Sequence, residues 1–210
     1  DITLRALDTL KEADLIASED TRRTRKLCHQ YDVEARLFSY HAHNEHHKTG
    51  QLLQAVKDGQ KVAVVSDAGT PCVSDPGYLL MREALQEGIE PLVLPGVSAL
   101  TYAITAGGMP VDRFLFAGFP PFKRGKRQNF LKDLKEKATT CFLFESPHRI
   151  HKLLEDVCSI CGDETPVVLI REATKIHEER LRGTSRELLE ISGNRERWKG
   201  ELVIILNLRE

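Results

Sequence analysis

The 210-residue chain predicts an α/β protein of two domains. Short runs of β-branched and apolar residues alternate with stretches of helical period, the rhythm of sheets covered by helices. Glycine and proline cluster directly after the apolar runs, where loops leave a sheet. The break Gly107-Gly108-Met109-Pro110 then stops a helix, after which the alternation restarts. It divides the chain into an N-terminal α/β domain, residues 1–108, and a C-terminal α/β domain, residues 109–210.

The first ten residues are helical, with Leu4, Leu7 and Leu10 on one face. An α/β domain places a strand before such a helix, so an opening strand is expected to precede position 1. Leu15-Ile16-Ala17 is a short buried strand, residues 24–31 a helix and residues 35–40 a strand. Residues 46–58 form a helix with Leu52, Leu53 and Val56 on one face and Gly59 as its stop. Val62-Ala63-Val64-Val65 lacks polar alternation, as in a parallel strand covered on both faces. A helix over 76–87, a strand over 91–94 and a helix over 98–106 complete the first half, whose sheet is expected to be mainly parallel.

In the second half, strands are predicted at 114–119, 141–144, 167–170 and 202–208, and helices at 129–137 and 185–191. A further helix opens at Ser146-Pro147, with serine as cap and proline in the first turn. Ile150, Leu153, Leu154, Val157 and Ile160 keep helical spacing along it.

Composition removes whole classes of function. Hydrophobic residues make up 41% and charged residues 29%, which excludes a disordered or collagen-like chain. No apolar run approaches the roughly 18 residues that span a bilayer. Five cysteines, an odd number with no secretory signal, fit reduced thiols in the cytoplasm. Cys158 and Cys161 form a C-x-x-C that no second pair completes into a zinc site, so no metal is expected. The net charge of −1 disfavours a protein that wraps nucleic acid, but it divides into −4 for residues 1–110 and +3 for 111–210. Much of that excess lies in Lys123-Arg124-Gly125-Lys126-Arg127, either a solvated loop or a contact for phosphates.

In α/β sheets, ligands bind beyond the carboxyl ends of strands. Two such loops, Ser66-Asp67-Ala68-Gly69-Thr70-Pro71 and Pro95-Gly96-Val97-Ser98, consist of small residues that let backbone approach a ligand closely. Walker A, G-x-G-x-x-G and G-x-S-x-G motifs are absent, which disfavours P-loop enzymes and common hydrolases. Glu19-Asp20-Thr21-Arg22 is either a ligand contact or a capped helix start. The histidines of His41-Ala42-His43-Asn44-Glu45-His46-His47 crowd one loop, which fits surface or RNA contacts better than a metal site. Glu145-Ser146-Pro147-His148-Arg149 and Arg171-Glu172-Ala173-Thr174-Lys175 each follow a buried strand and bring charge to that end of the sheet.

In order and spacing, these segments, together with Asp75-Pro76-Gly77 and Gly200-Glu201-Leu202, resemble the ribosomal RNA small subunit methyltransferase I family, a branch of the tetrapyrrole methylase superfamily. The resemblance covers essentially the whole chain, apart from an opening strand and loop expected before position 1. It implies two α/β domains, each with a central mixed sheet, and S-adenosylmethionine held in a cleft between them. It further implies a homodimer and methylation of a cytidine ribose 2′-hydroxyl in the decoding region of 16S rRNA. By motif, cofactor contacts are expected from Asp67, Ala68, Gly69, Val97, Ser98, Phe144, Arg171 and Gly200, largely through backbone atoms.

A ribose hydroxyl is a poor nucleophile that benefits from proton removal. Glu145 and Glu172 are candidate bases; Lys175 is either a base or a cation that stabilises a developing alkoxide. RNA contacts are expected from Arg22, Lys123, Arg124, Lys126, Arg127, His148 and Arg149. The near-zero net charge points to local recognition of a structured particle, an assembled small subunit. Two other readings remain: a methyltransferase for a tetrapyrrole or a modified protein side chain, and a non-catalytic RNA-binding assembly factor.

Overall fold

The computed structural model describes residues 1–209, which form two compact units, one from Asp1 to Ser98 and one from Ala99 onward. The first contains α1 (Leu4–Glu12), β1 (Leu15–Ser18), α2 (Thr21–Gln30), β2 (Arg36–Ser39), α3 (Glu45–Lys57), β3 (Val62–Val65) and α4 (Tyr78–Gln86). Its sheet is wholly parallel in the order β2-β1-β3. Ser18 pairs with both Ser39 and Val65, so all three strands end in one row. Glu19, Tyr40 and Ser66 therefore leave the sheet at the same level. Leu15 and Ala17 pack with Tyr40, Leu52 and Leu53 on one face, while Ile16 packs with Leu10, Cys28 and Val33 on the other.

The strand expected at 91–94 does not form. Residues 89–98 make no sheet pairing, and Leu92 and Val93 are 77% and 70% exposed. β-propensity reflects packing on a sheet surface, and this run has no neighbouring strand among the described residues to pack beside.

The second unit contains α5 (Ala99–Gly107), β4 (Phe114–Gly118), α6 (Arg124–Glu136), β5 (Thr140–Glu145), α7 (Ile150–Cys161), β6 (Pro166–Arg171), β7 (Glu179–Thr184), α8 (Ser185–Asn194) and β8 (Leu202–Asn207). The sheet order is β4-β5-β8-β6-β7, with β4 and β5 parallel and the other pairs antiparallel. This is the mixed sheet the resemblance implies for each domain; the first unit's three strands are instead parallel throughout, as the alternation of that half predicts. Cys141, Leu143, Leu169 and Ile204 face the cluster with α6, α7 and α8. Phe142, Val168, Ile170, Val203 and Ile205 face the opposite cluster, with Ala103 of α5. Helix α5, placed before the linker on sequence, thus covers the second unit's sheet. Gly107 lies so close to Ile205 that a Cβ there would collide with its Cδ1.

Strand β7 escapes the sequence pattern because it is a charged edge strand. Arg180 and Arg182 are exposed and donate to the Tyr102 hydroxyl and the Ala106 carbonyl of α5, and only Leu181 packs against the core. Helix α7 starts at Ile150, later than expected. Pro147 and His148 sit in a turn, where the Ser146 hydroxyl accepts the His148 N–H at 3.3 Å. Helix α6 starts earlier than expected, so the basic segment is its first turn.

Asp156, on α7, is buried and accepts hydrogen bonds from Arg127 Nε (2.8 Å), Gln128 (2.9 Å) and Arg124 (3.3 Å) of α6. Arg127 is only 4% exposed. Asp156→Ala would strand its guanidinium without a counter-charge. The expected loss is about 3–5 kcal/mol of unfolding free energy, read by denaturant titration.

Candidate functional site

In the first unit, the predicted loops meet where the parallel strands end. The Asp67 N–H donates to Glu19 Oε1 at 3.4 Å, and Asp67 Oδ1 accepts the Asp20 N–H at 3.1 Å. Arg23 lies 3.5 Å from Asp67 Oδ2. Asp67 thereby ties the loop after β3 to the loop after β1. Burial, foremost, pushes the Glu19 carboxyl up, and the neighbouring Asp67 charge adds to this. Asp20 caps α2 by accepting the Arg22 N–H at 2.9 Å. Its hydrogen bonds with the Arg22 guanidinium hold its carboxyl at about 2.

Gly69 has φ +86°, a conformation glycine adopts without penalty, and its Cα faces the Val97 carbonyl. The Thr70 hydroxyl donates to that carbonyl at 2.9 Å. Gly69 and Thr70 thus adjoin Val97, and Gly69 also Ser98, while Ala68 and Gly69 are exposed and carry little side-chain bulk. These properties fit a ligand held by backbone amides and carbonyls.

Further along, Asn44 explains the histidine-rich stretch. Its side chain accepts the His41 N–H at 2.8 Å and donates to the Ser39 carbonyl at 3.2 Å, closing the turn into α3.

In the second unit, Glu145, Arg171 and Leu202 share a row at one end of the sheet. The loops after β6 and before β8 emerge there and lock together. The Glu172 N–H donates to the Glu201 carbonyl and the Glu201 N–H to Glu172 Oε1, both at 2.9 Å. Lys175 Nζ donates to Glu172 Oε1 at 2.9 Å and to Glu201 Oε2 at 3.1 Å. The Lys175 hydrogen bond, above all, holds the Glu172 carboxyl below its ordinary range. Burial draws Lys175 down, but its bonds to Glu172 and Glu201 outweigh that and hold it above its ordinary value. The pair is therefore carboxylate and ammonium at neutral pH. Glu172 and Thr174 have φ of 51° and 62°, a conformation costly for residues with a Cβ. Gly200 has φ +91°, and a Cβ there would fall well under 3.0 Å from Glu172 Cγ, Cδ and Oε1.

Arg171 is held inside this frame. Its Nε donates to Glu179 Oε2 at 2.9 Å and its Nη1 to the Lys199 carbonyl at 3.4 Å. Arg195 grips both oxygens of Glu179 and lies 4.0 Å over the Trp198 ring. Arg195, first, and Arg171 hold the Glu179 carboxyl at about 2. A carboxyl depressed on folding stabilises above its unfolded value, and that contribution disappears as pH falls through the folded one. Glu179→Gln should therefore lower stability by about 2–3 kcal/mol above pH 5. The gap to the unsubstituted protein should close toward pH 2, as followed by thermal unfolding across that range.

Glu145, a candidate base on sequence, is not presented to a substrate. It is 2% exposed, and its Oε1 accepts Arg149 Nε and the Ser146 N–H, each at 2.7 Å. Arg149 is committed as well, its Nη2 donating to the Pro120 carbonyl at 2.7 Å. Arg127 is buried against Asp156 and donates to the Phe122 carbonyl at 3.2 Å. Among the residues expected on RNA, Arg127 and Arg149 are therefore withdrawn into structure, because desolvated guanidiniums need buried carboxylates. Arg22, Lys123, Arg124, Lys126 and His148 remain exposed. Phe144 meets Phe116 and Phe119 edge-to-face, with ring centroids 4.9 and 5.7 Å away.

Two shallow concavities of about 380 and 400 Å³ open elsewhere, one beside Cys28, His29 and Leu37, the other beside Arg124, Cys158 and Arg186. Neither contains a strand-end loop residue, and the loops carry the charge and backbone geometry described above. Sequence reasoning missed Glu201, Glu179 and Arg195 as supports of the second cluster. The only local signal for Glu201 was its place in Gly200-Glu201-Leu202; nothing local marked the other two.

Comparison with known proteins follows the same lines. The model of the family described as Tetrapyrrole (Corrin/Porphyrin) Methylases matches residues 1–189. The chain is 45% identical over 210 residues to Ribosomal RNA small subunit methyltransferase I of Mesorhizobium japonicum, covering all of this chain and 71% of that one. It is 44% identical over 211 residues to the protein of the same name from Thermotoga maritima, covering 93% of that protein. Among solved structures, a cobalt precorrin-4 methyltransferase of cobalamin biosynthesis superposes with TM-score 0.68 at 21% identity, covering all of this chain and 90% of the other. Uroporphyrin-III-C-methyltransferase from Thermus thermophilus superposes at 0.65 and 22% identity, covering 99% of this chain and 88% of the other. These two likenesses concern the fold alone.

Proposed function

Because the chain belongs to the tetrapyrrole methylase family and, within it, to the ribosomal RNA small subunit methyltransferase I branch, we propose that it transfers a methyl group from S-adenosylmethionine to a cytidine ribose 2′-hydroxyl in the decoding region of 16S rRNA. The observation that carries this reading is the 44% identity to a named relative over nearly the full length of both chains. The charge distribution agrees with it, since the exposed cations Lys123, Arg124 and Lys126 gather at the start of α6.

The proposed cofactor contacts are the backbone of Asp67, Ala68, Gly69, Val97 and Ser98, with Phe144, Arg171 and Gly200 in the second unit. Arg171 acts there through the frame it holds. Bound S-adenosylmethionine would supply an electrophilic methyl on a sulfonium that leaves as a neutral thioether, so in-line positioning of the acceptor does much of the work. Lys175 is the proposed group at the acceptor oxygen. An ammonium has three donors; Glu172 and Glu201 engage two, which leaves one for the acceptor oxygen as its hydroxyl proton passes to solvent water. Glu172 positions Lys175 and keeps it charged. Glu145 positions Arg149.

The proposed substrate is the assembled small subunit, methylated by a homodimer in the cytoplasm. No described helix is long and apolar enough to cross a membrane. The test uses the full chain. Calorimetry should show S-adenosylmethionine binding, and labelled methyl should appear on 16S rRNA in unmethylated small subunits. Label appearing on a precorrin or a protein instead would overturn the reading, and absence of donor binding would favour the non-catalytic alternative.

A further inference from the structure

We propose that the turn between β4 and α6 is a stacking platform for an unpaired RNA base, with Phe122 and Phe119 as the stacking rings. Phe122 is 78% exposed and Phe119 55% exposed, on a short turn that also contains Pro120 and Pro121. Two large rings left in water cost solvation unless something covers them.

The turn is also held rigidly from beneath. Arg149 donates to the Pro120 carbonyl at 2.7 Å while anchored on buried Glu145. Arg127 donates to the Phe122 carbonyl at 3.2 Å while anchored on buried Asp156. One buried and one half-buried ion pair thus fix backbone on either side of Pro121, and the proline rings remove further freedom. An aromatic surface fixed in advance loses little entropy on binding.

Charge chooses the occupant. Lys123, Arg124 and Lys126 follow Phe122 directly, exposed at the N-terminal turn of α6, whose dipole also favours anions. Aromatic rings beside a row of cations match the alternation of base and phosphate in a single strand. An apolar protein partner would have no use for the cations, and a rigid duplex would not offer a base face to the rings. Phe119 also meets Phe144, a proposed cofactor contact, so a base stacked there would lie beside residues assigned to the reaction. This inference rests on the RNA substrate proposed above and adds which groups grip it.

The experiment pairs kinetics with fluorescence. Phe122→Ala and Phe119→Ala should each raise KM for unmethylated small subunits about 5- to 100-fold, far more than kcat falls. Phe122→Tyr should restore most of the loss. The chain has one tryptophan, and it is buried, so Phe122→Trp adds an exposed reporter. Single-stranded RNA should quench its fluorescence, whereas inorganic polyphosphate and the same RNA in a duplex should not. Unchanged KM in both alanine variants, or equal quenching by polyphosphate, would overturn the platform while leaving RNA methylation intact. Quenching without any methylation of rRNA would overturn the substrate and leave the platform. An altered sedimentation coefficient of the Phe119→Ala/Phe122→Ala chain alone, with RNA affinity unchanged, would mark a self-association face and overturn the platform.

Discussion

Gly200→Ala should nearly abolish methyl transfer while leaving the protein folded. The added Cβ would overlap Glu172 Cγ, Cδ and Oε1, and φ at this position is +91°. Glu172 cannot yield cheaply. Its Oε1 accepts both Lys175 Nζ and the Glu201 N–H, so moving it breaks the contacts that order the cluster. The left-handed backbone costs about 1–2 kcal/mol for a residue with a Cβ, a fraction of the stability of a typical domain. A displacement near 1 Å at a positioning residue costs on the order of 100-fold in rate. The expected result is a kcat lower by about that factor, with a melting temperature reduced by only a few degrees. Unimpaired kcat in this variant would show that Glu172 and Lys175 do not act at the reacting oxygen.

Lys175→Met should lower kcat by about 100- to 1000-fold, the usual cost of removing one donor aimed at developing negative charge. The S-adenosylmethionine Kd, measured by calorimetry, should stay within about twofold, because the proposed donor contacts are mostly backbone atoms of other loops. Lys175→Arg should rescue poorly, since a planar fork cannot take the same three directions as an ammonium. Glu172→Gln keeps the shape but removes a charge that holds Lys175 above its ordinary value. Its kcat should fall less than that of Lys175→Met and should decline further as pH rises, because the ammonium then loses its proton at lower pH. A lysine acting as the neutral base would give the opposite pH trend in this variant, with kcat rising as the proton leaves.

Much of the molecule could be read from its residues in order. The alternating apolar runs located β1, β3, β5, β6 and β8, and glycine and proline marked the loops at their ends. Local chemistry suffices there, because strand and helix periods and turn preferences act over a few neighbouring residues. The placement of Asp67, Gly69, Glu172 and Lys175 in loops just after strands was legible for the same reason, whereas Gly200 and the roles proposed for all five came from the family motif.

Pairing and burial were decided only by the tertiary structure. Residues 91–94 have the composition of a strand but no ladder to join, whereas Glu179–Thr184 looks like a charged loop and becomes the edge strand β7 because β6 lies beside it. Arg127 and Arg149 belong to basic, exposed-looking segments, yet each is drawn inward by a carboxylate about 30 or 4 residues away in the chain, Asp156 and Glu145. Glu145 itself shows the same division: its position at a strand end is written in local sequence. Its removal from solvent depends on register and on helices that only folding brings alongside.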